Sequence, residues 1–348
     1  MFNICNRSIG KGYKPFIIAE VSANHGGSIK RAKDTILTAN LSGADAVKIQ
    51  TYTPDTMTIN SNKKDFLISE GLWKGYNLYQ LYKEAHTPYD WHRELFEFAK
   101  LNNIILISTP FDETAVDLLE ELNVPAYKIA SFELTDLPLI RYVASKNKPI
   151  FISTGMSSID EIAEAIETCY QIGNKDILLF HCISSYPARL NDSSIGDISY
   201  IAQYFNVEVG LSDHTTSNLA SILAVAKGAS AIEKHFKLDD VECGPDSSFS
   251  ILPQQLKDLC NDCNVSFEAL KSNKLQRSSK ELKNKKFRRS LYFVANLKKG
   301  QKVTVDHIRR IRPGYGLEPK YFDCVIGKTL KCDVERGDPV SFELFAER

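Results

Sequence analysis

Two histidines, His214 and His235, are the first candidates for catalytic or metal-binding residues. They lie in "GLSDHTTSN" (210–218) and "AIEKHFKLDD" (231–240), and each ends an apolar, strand-like run and precedes a turn. A single histidine on an apolar strand is usually structural, but two at equivalent ends of successive strands could face each other. Two neutral imidazoles with water and substrate oxygen suit a divalent transition metal. His25, near the end of the first run, could be a third ligand or a hydrogen-bond donor to substrate.

A second group of residues predicts an anion site. Lys48 and Lys128 interrupt apolar strand-like runs, where an unpaired ammonium would be costly. Lysine supplies a point charge and hydroxyl groups supply neutral hydrogen bonds, which suits a small phosphorylated carboxylate. Pairing of the lysines with nearby carboxylates for structure is the alternative. Glu20 could be a general base or a partner of Lys48. The other polar candidates at strand ends are Gln50, Thr109, Ser131, Ser153, Ser184, Tyr186 and Ser212.

Eight β-rich runs alternate with helix-like segments, and this repetition must position those side chains. One such segment, "SIDEIAEAIETCYQIG", has a predicted cap at Ser158 and a stop at Gly173. Eight repeats favour a closed (β/α)₈ TIM barrel, whose active site lies at the carboxyl ends of the strands. No G-x-G-x-x-G follows the first run, which argues against a dinucleotide site. The runs are 16–22, 46–52, 105–110, 126–131, 149–154, 177–184, 208–214 and 231–236.

The pattern changes near residue 270. Residues 1–270 are predicted to form the barrel, 271–286 a basic linker, and 287–348 a small β-rich domain. Within that domain "LKKGQKVT" (297–304) and "VERGDPVS" (334–341) form a faint repeat that aligns Gly300 with Gly337 and Val303 with Val340. The repeat predicts pseudo-symmetry, and so small a module is expected to lean on another surface.

The composition excludes several classes of function. The 348 residues contain 43 Lys and Arg against 43 Asp and Glu, so no net charge favours nucleic acid or an anionic membrane. The amino terminus lacks the apolar core of a signal peptide, and no run is long enough to span a bilayer. The eight scattered cysteines fit a cytoplasmic protein with reduced thiols. Cys260 and Cys263 form an isolated C-x-x-C in a predicted helix, where a structural role is favoured over a metal or redox site.

Several motifs together resemble the sialic acid synthase family over nearly the whole chain. They are "IAEVSANHGGS", "GADAVKIQTYTPD", "STPFD", "PAYKIASFE", "KPIFISTGM", "GLSDHT", "IEKHF" and "GPDSSFS". The last 60 or so residues resemble the antifreeze-like (SAF) domain of that family. Within the family, "GLWKGYNLYQLYKEAHTPYDWH", "FRRSLYFV" and "IRPGYGLEPKY" resemble the pseudaminic acid branch.

The resemblance implies a metal-dependent condensation of phosphoenolpyruvate with an amino-sugar aldehyde that releases phosphate. His214 and His235 would hold Mn²⁺, or Mg²⁺ or Co²⁺, and Glu20 would handle water or a proton. Arg312 would reach the partner's barrel in a domain-swapped homodimer. Ser184 stands where the N-acetylneuraminate branch has asparagine, so a hydroxyl would replace an amide there. Phosphoenolpyruvate would be bound by Lys48, Lys128, Ser131, Ser153 and Ser212, and the sugar by Gln50, Tyr186 and Asp246.

Three alternatives stay open. The sugar could be N-acetylmannosamine or the legionaminic acid precursor, although the aromatic faces of Trp73 and Tyr76 favour a deoxygenated sugar. These two residues could equally pack the outer helices of the barrel. A non-catalytic sugar-binding protein is a second class, which the candidate catalytic residues disfavour. A metal-dependent hydrolase is a third, and it would need more histidine and carboxylate ligands than are found here.

Overall fold

The computed structural model describes residues 1–239, 241–242, 244–271 and 277–346. Cys243 and residues 272–276 of the predicted linker lie outside the described residues. The chain divides into two compact units, Met1–Lys271 and Ser272–Arg348. No helix in the described part of the chain is both long and apolar enough to cross a membrane.

The first unit is a closed parallel barrel preceded by a short hairpin of β1 (Phe2–Ile4) and β2 (Arg7–Ile9). All eight predicted runs form its strands, each within two residues of the predicted start and end. Strand β10 closes the barrel by pairing with both β3 and β9. The strands are β3 (Phe16–Glu20), β4 (Ala46–Thr51), β5 (Ile105–Pro110), β6 (Tyr127–Ile129), β7 (Ile150–Ser153), β8 (Ile177–Cys182), β9 (Glu208–Asp213) and β10 (Ala231–His235).

Helices surround the barrel and begin where the sequence predicts. Ser158 caps α7 and forms a capping box with Glu161, and Gly173 follows that helix with φ +93°. Cys260 and Cys263 are buried on α10, where they pack in the apolar core. The helices are α1 (Ile29–Leu41), α2 (Pro54–Met57), α3 (Leu78–Ala85), α4 (Tyr89–Leu101), α5 (Glu113–Glu121), α6 (Leu137–Ala144), α7 (Ile159–Gln171), α8 (Asp197–Phe205), α9 (Leu219–Ala226) and α10 (Pro253–Leu270).

Side chains alternate between the two faces of each strand, so the barrel has one apolar core outside its wall and another inside it. One end of the barrel interior is polar instead. Side chains that point outward, such as Ile17 and Val47, pack against the helices. Inward side chains near the strand starts, such as Phe16, Phe151 and Phe180, fill the barrel axis. The next inward positions, toward the carboxyl ends, are polar. The apolar plug therefore supports a polar layer at the mouth of the barrel.

The hairpin of β1 and β2 closes the opposite end, and the sequence analysis missed it. Its apolar residues Phe2, Ile4 and Ile9 are buried in the same cluster as the barrel plug, and the Phe2 ring lies 6.2 Å from that of Phe151. Two three-residue strands are too short for hydrophobic periodicity to reveal them. The hairpin is therefore the floor of the barrel.

Replacing Phe2 by alanine should lower the free energy of unfolding of the barrel by about 3 kcal/mol, because a buried aromatic ring is lost from the floor. The KM values should change little, since the site lies at the other end of the barrel. Thermal unfolding and steady-state kinetics of Phe2→Ala measure both effects, with the exposed Asn3→Ala as the matched control. Equal melting temperatures for the two variants would contradict this role of the hairpin.

The second unit is a small β-rich domain with α11 (Ser279–Leu282), β11 (Ser290–Phe293), β12 (Ile308–Ile311) and α12 (Phe322–Val325). The two halves of the predicted repeat meet at their first residues, where Leu297 and Val334 pair antiparallel. Gly300 and Gly337 both have positive φ, and Val303 and Val340 are both buried. These positions agree with the predicted repeat, and the pseudo-symmetry of the whole domain stays a prediction. The fold class of a TIM barrel followed by a small β-rich domain is confirmed.

Candidate active site

Four buried charges form the centre of the polar layer at the mouth of the barrel. Lys48 Nζ lies 2.5 Å from a Glu20 oxygen and 3.5 Å from a Glu233 oxygen. Lys128 Nζ donates to both Glu233 oxygens, at 3.0 and 2.9 Å. All four side chains are 5% exposed or less. We call Glu20, Lys48, Lys128 and Glu233 the charge quartet, and its formal charges sum to zero.

Burial and mutual attraction set the protonation of the charge quartet. Burial raises the pKa of Glu20 to about 7, because the nearby Lys48 offsets only part of its desolvation. Burial also acts to raise the pKa of Glu233, but Lys128 and Lys48 outweigh it and hold that pKa at about 2. Glu233 is thus the fixed anion, and Glu20 can exchange a proton near neutral pH. That is the property a general base or acid needs.

Hydroxyl groups border the two lysines. Thr109 Oγ1 accepts from Lys48 at 3.1 Å, and Ser212 donates to Glu233 at 3.3 Å. Ser153, at the end of β7, is buried in the same polar layer. Lys48 already has three acceptors, in Thr109, Glu20 and Glu233, whereas the acceptors of Lys128 both belong to Glu233. A ligand anion can therefore accept hydrogen bonds from Lys128 and from the surrounding hydroxyl groups.

Ser131 and Ser184 converge on a narrow space beside Gly155. Ser131 Oγ accepts from the Gly155 N–H at 3.2 Å and lies 3.0 Å from the Cys182 sulfur. A Cβ atom on residue 155 would come within 2.2 Å of Ser184 Oγ, so only glycine leaves these groups in place. Ser184 Oγ makes no hydrogen bond to any described residue. It is available to a ligand oxygen.

His214 and His235 face each other at the same end of the barrel, as predicted. Their ring centroids are 5.5 Å apart. His214 Nδ1 lies 3.0 Å from the Ile183 carbonyl oxygen, which leaves Nε2 for another partner. His235 Nδ1 is buried without a hydrogen bond to any described residue, and an Asp246 oxygen lies 4.0 Å from it. Burial lowers the pKa of both rings, that of His235 well below its usual range.

This donor set fits a divalent metal. Neutral imidazoles are the form that binds a metal, and a buried ring nitrogen without a partner is costly unless something occupies it. No group of three or more His, Cys, Asp or Glu side chains is arranged for metal binding in the part of the chain that the structure describes. His25 is therefore not placed as a third protein ligand, and its ring packs against Trp91 at 5.4 Å. Water and substrate would complete the coordination.

The lowered pKa values predict that Mn²⁺ affinity barely depends on pH between 7.5 and 6.0. Metal competes with protons for the imidazoles, and two histidines with the ordinary pKa of 6.5 would lose about tenfold in affinity over that range. Because both rings here stay neutral to lower pH, we expect a loss of about threefold or less. Calorimetric titration of the protein with Mn²⁺ at both pH values measures it. A tenfold loss would mean that the rings titrate normally.

The other side of the mouth carries polar and aromatic candidates for sugar binding. Gln50 Nε2 donates to Ser22 at 3.0 Å and to Glu20 at 3.4 Å, and Ser22 donates to Asp246. The Tyr186 ring lies 4.5 Å from that of His214. Gln50, Tyr186 and Asp246 are thus brought to the His214–His235 pair and the charge quartet, as the resemblance implies.

Trp73 extends this surface. Its indole N–H donates to the Pro245 carbonyl oxygen at 3.2 Å, and its ring lies 5.7 Å from that of Tyr186. These contacts place the Trp73 side chain beside Tyr186 and the segment that carries Asp246. Trp73, Tyr186 and the buried Phe249 form a continuous aromatic cluster that reaches His214. A hydrogen bond across 172 residues of sequence could not be predicted from the local pattern.

Arg312 and Glu233 are two residues whose surroundings could not be predicted from the sequence. Arg312 lies in the second unit, where it is exposed and precedes the cis peptide bond to Pro313. Glu233, which is not among the candidates from the sequence, accepts two hydrogen bonds from Lys128. Its signal was present, because a lone glutamate in "AIEKHF" at an inward position needs a cationic partner.

Two family models and several known proteins match this chain. Residues 35–275 match the NeuB family and residues 288–346 match the SAF domain. A Campylobacter jejuni pseudaminic acid synthase is 42% identical over 93% of this chain and 95% of its own. A Helicobacter pylori pseudaminic acid synthase is 40% identical over 94% and 96%. The N-acetylneuraminic acid synthetase of Leptospira borgpetersenii, solved in complex with citrate, superposes with a TM-score of 0.73 at 29% identity, covering 81% of this chain and 94% of that one. The chain therefore belongs to the NeuB family and carries a C-terminal SAF domain.

Proposed function

We propose that this protein is a transferase that condenses phosphoenolpyruvate with a 2,4-diacetamido-2,4,6-trideoxy hexose of the altrose type, giving pseudaminic acid and phosphate. One observation carries the proposal. The His214–His235 pair lies at the same barrel mouth as two buried lysines, so a carbonyl and an enol phosphate can be held side by side. Relatives named pseudaminic acid synthase, aligned over more than nine-tenths of the chain, support the choice of sugar.

His214 and His235 are assigned as the ligands of a divalent metal, Mn²⁺ in first place and Mg²⁺ or Co²⁺ as alternatives. When bound, the metal supplies Lewis-acid polarisation of the sugar aldehyde. The protein keeps both rings neutral by burial and orients His214 through the Ile183 carbonyl oxygen. Asp246, 4.0 Å from His235 Nδ1, can orient that ring or the sugar beside it.

The lysines and hydroxyls bind phosphoenolpyruvate and stabilise the charge that shifts during the reaction. C3 of phosphoenolpyruvate forms the new bond to the aldehyde carbon with the electron pair of its C2–C3 double bond, and positive charge develops at C2. The carbonyl electron pair moves to the aldehyde oxygen, which takes up a proton and becomes a hydroxyl. Lys128 and the hydroxyls donate hydrogen bonds to phosphoenolpyruvate and fix its orientation, and Lys48 contributes its positive charge to binding of the same anion. The hydroxyl donors assigned to this role are Thr109, Ser131, Ser153, Ser184 and Ser212.

Glu20 is assigned to the water that completes the reaction. Water adds at C2, Glu20 accepts its proton, and the tetrahedral product loses phosphate by cleavage of its C–O bond. The oxygen of water therefore ends in the keto acid. A carboxyl with a pKa of about 7 can accept this proton and release it again near neutral pH. Gln50 fixes the position of Glu20 and connects it to Ser22 and Asp246 on the sugar side.

The second unit is assigned as a lid supplied by another copy of the chain in a domain-swapped homodimer, with Arg312 reaching the partner's site. Charge supports this arrangement. Residues 272–348 carry a net charge of about +10 and residues 1–271 about −10, so the small domain is attracted to a barrel. We propose that residues 271–286 form the linker that permits the exchange. The free cysteines among the described residues fit an enzyme of the cytoplasm.

A phosphate-release assay tests the function. Phosphoenolpyruvate, Mn²⁺ and one of three sugars are supplied: the 2,4-diacetamido-2,4,6-trideoxy altrose, the legionaminic acid precursor or N-acetylmannosamine. The first sugar should give the highest kcat/KM. Preference for another sugar would change the assigned product but keep the reaction. No phosphate release with any of them, from a folded protein that binds Mn²⁺, would point instead to a sugar-binding protein.

Trp73→Ala should raise the KM for the 6-deoxy sugar about tenfold and leave the KM for phosphoenolpyruvate unchanged. The aromatic cluster of Trp73, Tyr186 and Phe249 suits methyl groups, and loss of one ring costs about 1.4 kcal/mol, which is tenfold in affinity. Trp73→Phe keeps an aromatic face without the bond to Pro245 and should lose less. Steady-state kinetics of both variants with the 6-deoxy sugar and with its 6-hydroxy counterpart test whether Trp73 recognises the methyl group. Equal losses for both sugars would show that Trp73 does not recognise the methyl group.

A further inference from the structure

A second buried ion pair lies directly behind the His214–His235 pair, on the outer face of the barrel wall. Asp213 and Lys234 are register partners on β9 and β10, and Lys234 Nζ lies 2.7 Å from Asp213 Oδ2. Their side chains are 1% and 0% exposed. Because side chains alternate along a strand, both point toward the helices while the next residue in each strand points into the barrel.

Each polar atom of this ion pair has defined partners. Lys234 Nζ also donates to the carbonyl oxygens of Thr215 and Ser217, at 2.7 and 2.9 Å, so all three of its protons are used. Asp213 Oδ1 accepts from the Thr215 N–H at 2.8 Å and from its hydroxyl at 2.7 Å. Asp213 Oδ2 accepts from Ser221 at 2.7 Å. The ion pair therefore fixes both strand ends and the turn that follows His214.

The covalent order of the chain gives this network a role beyond packing. Asp213 immediately precedes His214, and Lys234 immediately precedes His235. The bond between the two side chains thus joins the two backbone positions whose next side chains are the imidazoles. We propose that Asp213 and Lys234 are positioning residues that set the distance between His214 and His235 and thereby the affinity of the site for a divalent cation.

This inference rests on the metal site assigned under the proposed function. A purely stabilising role is a weaker account, because a buried ion pair is often no more stabilising than apolar residues of the same size. Apolar residues could not bind the carbonyl oxygens of Thr215 and Ser217, however. The directional bonds, rather than the charges, are what hold the segment that carries His214.

Two single substitutions separate positioning from a simple effect of charge. Lys234→Met removes a positive charge near the cation, so an electrostatic effect alone would tighten Mn²⁺ binding. Asp213→Asn removes a negative charge and would weaken it. Positioning predicts that both variants weaken binding, by about 10- to 100-fold, as is typical when groups that orient metal ligands are lost.

The experiment measures the Mn²⁺ dissociation constant of the full-length protein, without substrates, from the electron paramagnetic resonance signal of free Mn²⁺. Thermal unfolding in chelator is measured alongside. Arg7 and Asp45 form an ion pair at 2.9 Å elsewhere on the barrel, and Arg7→Met is the matched control. Whatever its effect on stability, its Mn²⁺ affinity should equal that of the parent. Thr215→Val removes a single hydroxyl group, which contacts Asp213 Oδ1 at 2.7 Å and the Ser217 carbonyl oxygen at 3.0 Å. It provides a milder variant, with an expected loss of about threefold.

The outcomes are distinct. Weaker binding in both Asp213→Asn and Lys234→Met supports positioning, and opposite changes in the two variants overturn it in favour of a field effect. Folded variants with the parent's affinity also overturn it. If neither single variant folds, an unchanged affinity in Thr215→Val overturns the inference. A parent protein that fails to bind Mn²⁺ would instead refute the metal site itself, and this proposal with it.

Discussion

Replacing both His214 and His235 by alanine should abolish Mn²⁺ binding and lower kcat by at least about a thousandfold, or about 4 kcal/mol of transition-state stabilisation. Both neutral rings are lost, and nothing else in the described residues forms a group of three metal-binding side chains that could replace them. The KM for phosphoenolpyruvate should change much less, since its phosphate is assigned to the lysines and hydroxyls. Kinetics over a range of Mn²⁺ concentrations, together with metal content by mass spectrometry, measure both effects.

The matched control for this prediction is His181→Gln. His181 is also buried and lies on a barrel strand, but it points outward and its Nε2 lies 2.9 Å from the Ser193 carbonyl oxygen. Glutamine can keep that hydrogen bond, so we expect parental kcat and metal content. Full turnover by the double alanine variant in the presence of chelator would refute the metal assignment, and with it the reading of His214 and His235 as ligands.

The barrel could be predicted because its strands carry strong local signals. Runs such as "ILLFHC" (177–182) are buried on both faces, and the polar residue that follows each apolar run marks its carboxyl end. Parallel closure then requires those polar residues to meet, since all strands in such a barrel point the same way. Knowing that His214 and His235 end successive strands was enough to expect their rings to face each other.

What the sequence analysis missed depends on partners that lie far apart in the chain. Nothing local shows that Glu233 is held by Lys128, 105 residues away, or that Trp73 donates to Pro245. Lys48 and Lys128 illustrate why such distant partners are hard to predict. Their sequence context is compatible with anion binding and with structural ion pairs, and the structure contains the ion pairs at the place where the anion is expected. The two interpretations are compatible, because Lys128 is satisfied by one carboxylate until a ligand arrives.

Lys128→Met should raise the KM for phosphoenolpyruvate about 100-fold, because a charged hydrogen bond to the ligand contributes about 2–3 kcal/mol. It should also lower the free energy of unfolding by about 3 kcal/mol. Glu233 would remain buried with only Lys48, at 3.5 Å, to balance its charge. The single variant therefore does not separate loss of a ligand contact from loss of stability, because a disturbed fold would also weaken binding of phosphoenolpyruvate.

Adding Glu233→Gln to Lys128→Met separates these effects. The double variant has no unbalanced charge, so much of the lost stability should return, as happens when both members of a buried ion pair are replaced. The KM for phosphoenolpyruvate should stay high, because no ammonium replaces that of Lys128. Thermal unfolding and steady-state kinetics of both variants give the answer. Recovery of the KM together with stability would mean that Lys128 only balances Glu233, and that the enol phosphate is bound elsewhere.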